Sequence, residues 1–224
     1  PIIKVDKSTH PHQNFPDEVV TEGLDGLAGR MAEYYDLGAR GAKWRMVVTI
    51  GAGLPTKSNI HTNALFLARY AAVCQEAGIV PMVEPEVLYS GNHDQKRAES
   101  VTKETLKIVF TAMKHQRVDL KGLLLKSSMV LAGKGHPQQS TPEEVAEATI
   151  RTFENSVPEE VGGIVFLSGG QTPEQATANL NAIAKLQHER GNLPWDFAFS
   201  FSRGLEQPAQ QAWPRHSPSN LPQC

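Results

Sequence analysis

Gly122-Leu123-Leu124-Leu125-Lys126-Ser127-Ser128-Met129-Val130 sets one lysine inside an apolar run. The leucines read as a buried strand. A buried ammonium is unfavourable unless it is paired, and desolvation opposes its charge. Two readings therefore compete for Lys126. It marks a strand end and reaches back to water along its methylene stem, or its amine serves as a nucleophile.

Working outward, short apolar runs alternate with longer helical patterns. Strands are expected over residues 1–6, 39–49, 79–86, 122–129, 163–169 and 196–203. Their centres lie roughly 33 to 43 residues apart, the spacing of repeated βα units. Helices are expected over 21–35, 58–77 and 94–115, with Gly78 as the stop of the second. Thr141-Pro142-Glu143-Glu144 and Thr172-Pro173-Glu174-Gln175 both read as capping boxes with Pro at the first helical position. Such alternation builds either a doubly wound sheet or a (β/α)8 barrel. Eight units at this spacing would need roughly 320 residues, whereas the chain has 224. The expectation is an open sheet, or a TIM barrel with about six of its eight units, the missing ones N-terminal. Residues 1–213 are read as that one domain, and 214–224 as a loose Pro/Ser-rich tail.

Period-2 reading places charge near the C-terminal end of nearly every strand. Lys4 and Asp6 share a face, as do Lys43 and Arg45, and Glu84 and Glu86. Lys126 shares one with Leu124. Barrel enzymes put catalytic groups at that end of several strands, and open α/β sheets bind ligands there at one crevice. A structural ion-pair network would account for the same charges. Lysines beside carboxylates also suit imine chemistry, in which a neighbouring cation favours a neutral amine and a carboxylate moves protons.

Phe166-Leu167-Ser168-Gly169-Gly170-Gln171-Thr172-Pro173 joins a strand end, two glycines and a capped helix. Backbone N–H groups and a helix N-terminus of that kind bind phosphate. Arg203, at the end of the last expected strand, suits the same anion.

The net charge of −2 leaves no footprint for nucleic acid. No apolar run is long enough to span a membrane, and no secretory leader pattern is visible. The two cysteines make no disulfide framework, so a reducing cytoplasm is expected. The eight histidines are scattered, with His10 and His12 read as solvated loop residues, and no metal site is expected.

The segments IKVDK, LDGLAGR, GAKWR, LARYAAVCQEAGIVPMVEPEVL, LLLKSSMV, VGGIVFLSGGQ, NLNAI, PWDFAFSFSRGL and QAW, in order, closely resemble the class I, Schiff-base fructose-1,6-bisphosphate aldolases. The resemblance implies a TIM barrel that reversibly cleaves fructose 1,6-bisphosphate to dihydroxyacetone phosphate and glyceraldehyde 3-phosphate. Lys126 falls on the Schiff-base lysine, Glu84 on the proton-transferring glutamate and Glu86 on the glutamate that orients the lysine. Lys43 falls on the assisting lysine and Arg45 on a substrate-contacting arginine. Ser168, Gly169, Gly170 and Arg203 fall on the phosphate group, with Lys4 also among the substrate-binding residues. The resemblance implies no cofactor or metal, a phosphosugar as the small-molecule partner, and a homotetramer for a complete member. The family commonly reads KPNMV where this chain has Lys126-Ser127-Ser128-Met129-Val130, and Gly where it has Ser202. The match covers the third to eighth strands of that barrel. Family members carry an N-terminal region with the first two strands, an active-site aspartate and a second phosphate site, and a C-terminal region ending in tyrosine.

Overall fold

A computed structural model of the chain describes residues 1–213. The expected tail over 214–224 lies outside the described residues.

In chain order the elements are β1 (Ile2–Lys4), β2 (Thr9–Pro11), β3 (Val19–Thr21), α1 (Leu27–Asp36), β4 (Gly41–Val48), α2 (Lys57–Glu76) and β5 (Val80–Val87). There follow α3 (Gln95–His115), β6 (Leu124–Ser127), α4 (Pro142–Glu154), β7 (Gly163–Phe166), α5 (Pro173–Arg190), β8 (Phe197–Phe199) and α6 (Arg203–Ala212). Six strands form one sheet in the order β1-β4-β5-β6-β7-β8, parallel throughout. Among the described residues, β1 and β8 each pair on one side only.

The sheet's two faces divide by side-chain alternation. In β4, Ala42, Trp44, Met46 and Val48 are buried in the core, with Trp44 tilted against Tyr70 of α2 at 5.4 Å between ring centroids. Lys43 and Arg45 point to the other face. In β5, Val83 and Val87 join the same core, while Glu84 and Glu86 share the face of Lys43 and Arg45.

Several expected boundaries move. The helix expected over 21–35 begins only at Leu27. Thr21 is the last residue of a β2–β3 hairpin, its N–H bonded to Asn63 Oδ1 (3.1 Å) and its hydroxyl to the Arg45 carbonyl (2.7 Å). Gly23 and Gly26, at φ 125° and 65°, keep the intervening chain out of a helix. The strand expected over 196–203 ends at Phe199, and Arg203 opens α6 instead. Thr141 caps α4 with both bonds of the box, worth about 1 kcal/mol. Thr172 makes only half of one. Its hydroxyl accepts from Gln175 N–H, but the Gln175 amide turns away to the Tyr89 hydroxyl at 3.3 Å. His12 is no free loop residue, for it stacks on Phe15 and its Nδ1 meets the Asn59 amide at 3.0 Å.

The β5–β6 ladder is short, joining only Met82–Leu124 and Val83–Leu125. Beyond it Pro85 has no N–H to give. There the Ser128 hydroxyl stands in for a strand, accepting from Val87 N–H (3.1 Å) and donating to the Val87 carbonyl (3.0 Å). The two strands separate at their C-terminal ends while their polar groups stay satisfied. Lys126 lies beside that opening.

Candidate active site at the C-terminal ends of the strands

Parallel pairing brings the inward charges together. Lys4 of β1 is in register with Lys43 of β4, and Arg45 with Glu84 of β5. Lys126 Nζ lies 3.1 Å from Glu84 Oε1, and Lys43 Nζ lies 2.9 Å from Glu84 Oε2. One carboxylate therefore separates two ammonium groups. Lys126 is only 8% exposed and Glu84 5%, so this is no strand-end lysine in water. The bland reading of its place in the leucine run fails on burial and pairing together.

Glu86 differs from the expectation attached to it. Its partner is Arg45, with Nε 2.5 Å from Oε2, and the carboxylate on Lys126 is that of Glu84. Burial works to lower the Arg45 pKa, but the Glu86 bond and the charges of Glu86, Glu84 and Asp6 outweigh it and raise it. Arg45 is thus a fixed cation.

Asp6 is the residue sequence reasoning passed over, although its place two residues after Lys4 put it on the right face. It lies just beyond β1 and is 8% exposed. Its carboxylate meets Lys4 Nζ at 2.6 Å, Lys43 Nζ at 3.9 Å and the Arg45 N–H at 3.3 Å. The result is a chain of alternating charge, Lys4–Asp6–Lys43–Glu84–Lys126, running inward from a half-exposed lysine. Ser128, which shapes the opening, was likewise visible only as a departure from the family's usual residues.

The facing wall could hold an anion. Ser168, Gly169 and Gly170 follow β7, and the two glycines take φ 63° and 90°, where a side chain would be strained. A Cβ on Gly170 would sit 3.6 Å from Arg203 Nη2, and one on Gly204 3.3 Å from the Ser168 Cβ. These small residues let the loop, Arg203 and the start of α6 approach one another. The N-terminus of α6 opens here, adding partial positive charge. Ser202, in place of the family's glycine, has φ −103° and needs no glycine.

A cavity of about 530 Å³ joins the two halves. Lys4, Lys43, Arg45, Glu84, Glu86 and Lys126 line one side, and Ser168, Gly169 and Arg203 the other. Of the sequence-derived site residues only Gly170 is off this lining, backing Arg203 instead. The site offers a buried primary amine, a carboxylate within proton-transfer reach and a separate anion cradle. That set suits imine formation on a ketone bearing phosphate. Among the described residues no group of His, Cys, Asp and Glu side chains is gathered as metal ligands would be.

Comparison with known proteins agrees with this architecture. The family model for class I fructose-bisphosphate aldolase matches residues 1–221. A probable fructose-bisphosphate aldolase class 1 of Xanthomonas campestris pv. campestris is 51% identical over 220 residues, covering 98% of this chain and 65% of that protein. Cytoplasmic isozyme 2 of fructose-bisphosphate aldolase from Pisum sativum is 46% identical over 213 residues, covering 95% and 58%. The fold superposes on fructose-bisphosphate aldolase from Plasmodium falciparum, solved with TRAP and a small-molecule inhibitor, with a TM-score of 0.91. That pair is 44% identical over 95% of this chain and 61% of the other. The chain thus spans just under two thirds of the length of the Xanthomonas relative. Its six-stranded α/β sheet carries the TIM-barrel architecture of these enzymes, and the chain belongs to the class I fructose-bisphosphate aldolase family.

Proposed function

We propose that this chain carries the Schiff-base centre of a fructose-1,6-bisphosphate aldolase. The observation that carries the proposal is Lys126, buried against Glu84 in a cavity whose opposite wall is the Ser168–Gly169–Arg203 anion cradle. Lys126 attacks the substrate ketone after passing a proton to Glu84, forming a carbinolamine. Glu84 then protonates the departing hydroxyl, water leaves and an iminium remains. Lys43 steadies charge on Glu84 throughout. A carboxylate, Glu84 here, takes the proton of the C4 hydroxyl. The C3–C4 electron pair flows into the iminium, and glyceraldehyde 3-phosphate departs. The enamine is protonated at C3, and water hydrolyses the iminium to release dihydroxyacetone phosphate and Lys126. Ser168, Gly169, Gly170 and Arg203 hold one phosphate. Lys4 and Arg45 face the rest of the substrate, with Glu86 fixing Arg45.

In this reading the open edges of β1 and β8 receive two further strands of an eight-stranded ring. The protein works in the cytoplasm as a homo-oligomer on a free phosphosugar. A second reading, a binding-competent arc without turnover, is favoured by those same unpaired edges. Assaying release of dihydroxyacetone phosphate from fructose 1,6-bisphosphate separates the two. Release that disappears in Lys126→Ala supports the first reading. Binding without release supports the second, and release that survives Lys126→Ala contradicts the proposed centre.

A further inference from the structure

We infer that Asn179 and Gln171 form a two-amide brace that sets the anion loop, making both of them positioning residues for phosphate recognition. The inference rests on the reading of that loop given above. Asn179 is 2% exposed and Gln171 6%. Asn179 Nδ2 donates to Gln171 Oε1 at 2.7 Å, and Gln171 Nε2 donates to the Ser168 carbonyl at 3.0 Å. The Gln171 backbone N–H reaches the same carbonyl at 3.1 Å. Gln171 Nε2 also lies 3.7 Å from Met129 Sδ, three residues past Lys126. The brace therefore ties α5, the loop and the segment following the reactive lysine to one another.

The direction of these bonds matters. Asn179 donates, so the Gln171 oxygen must face it, and the Gln171 NH2 must face Ser168. The Ser168 carbonyl is the partner of fixed polarity, since it can only accept: it takes the Gln171 NH2 and leaves the Gln171 oxygen to be matched by the Asn179 NH2. The loop needs such orientation. Gly169 and Gly170 have no side chains to pack, and glycine has the most conformational freedom to lose on ordering. With the Ser168 carbonyl fixed by two donors, the start of the loop is held in place before an anion arrives. Such preorganisation raises affinity by removing the ordering penalty. A brace required only for folding could be apolar, since replacing both partners of a buried hydrogen bond by apolar groups can be nearly neutral.

Asn179→Asp keeps the shape and inverts the polarity. The carboxylate can only accept, so Gln171 turns its NH2 toward it and its oxygen toward the Ser168 carbonyl. Titration with inorganic phosphate is expected to show a Kd raised about tenfold or more. Borohydride trapping of unphosphorylated dihydroxyacetone on Lys126 is expected to stay within about twofold of wild type. If Asn179→Asp does not fold, Asn179→Leu reads the same loss of the donor. An unchanged phosphate Kd in a folded variant overturns the inference. So does an equal loss in both measurements, which marks a merely structural role, and so does a wild-type chain that binds no phosphate. Wild-type phosphate binding without any dihydroxyacetone trapping would instead sink the proposed Schiff-base centre and leave the phosphate comparison to decide on the brace.

Discussion

The Glu84 carboxylate lies between two amines, 3.1 Å from Lys126 Nζ and 2.9 Å from Lys43 Nζ. Its proximity to Lys126 suits proton transfer, and its second contact ties it to Lys43. Glu84→Gln retains the shape and removes both functions. Cleavage is expected to fall about 10²- to 10⁴-fold, the range of a general acid–base group. Stability is expected to drop by about 1–3 kcal/mol, because two largely buried ammonium groups lose their counter-charge. Steady-state kinetics and thermal melting measure the two effects. Wild-type kcat in the variant would remove Glu84 from the mechanism.

Asp6 touches Lys4 and Lys43 but lies one residue pair away from Lys126. Asp6→Asn is expected to lower kcat about tenfold, equivalent to ~1.4 kcal/mol of barrier. The smaller effect follows from its acting through Lys43. A loss confined to KM would instead mark Asp6 as a binding residue.

Much of this was legible in the sequence, and for definite reasons. Period-2 alternation put Lys43, Arg45, Glu84, Glu86 and Lys126 on one face, and parallel register turned that face into a cluster. The glycine pair Gly169 and Gly170 marked the turn after β7, and both take positive φ. Which carboxylate meets which cation was not legible. Glu84 and Glu86 are alike in sequence, and their separate partners depend on stagger between strands. The β2–β3 hairpin was hidden because Leu24, Leu27 and Met31 keep a helical period while Thr21 is held by bonds to distant Asn63 and Arg45. Arg203 read as a strand end because Phe197, Phe199 and Phe201 alternate, yet β8 stops at Phe199. The Asn179–Gln171 brace spans eight residues and follows no local pattern.

The Glu99–Arg151 pair joins α3 to α4 through two bonds of 2.8 and 2.7 Å. Its Arg151 bond holds the Glu99 carboxyl below the ordinary value of 4.5, against the opposing effect of partial burial. The folded state therefore binds that proton less tightly than the unfolded state. The pair stabilises the fold above about pH 4.5, and this is lost as pH falls through the lowered folded value. Arg151 is half exposed, so screening limits the effect to about 0.2–1 kcal/mol. Glu99→Gln is expected to melt below wild type at neutral pH, and the gap is expected to close as pH falls below 4.5 through the lowered folded value. A gap that persists in acid would contradict the assignment.

Cys74 is buried between α2 and α1, with Sγ 3.7 Å from Met31 Sδ. Burial pushes its thiol up to about 12, against a smaller lowering by the Tyr70 hydroxyl. Thiolate is the reactive form, so Cys74 is expected to resist alkylation at neutral pH until the chain unfolds. Peptide mapping after iodoacetamide treatment reads this directly, and rapid native labelling of Cys74 would show that the core around α2 opens.

The central claim is that Lys126 forms an imine with a phosphorylated ketone. Borohydride reduction in the presence of dihydroxyacetone phosphate, followed by peptide mass spectrometry, tests it most directly. The expected result is one covalent adduct on the peptide containing Lys126, absent without borohydride and absent in Lys126→Ala. An adduct on Lys43 or Lys4 instead, or none on any lysine, would contradict it.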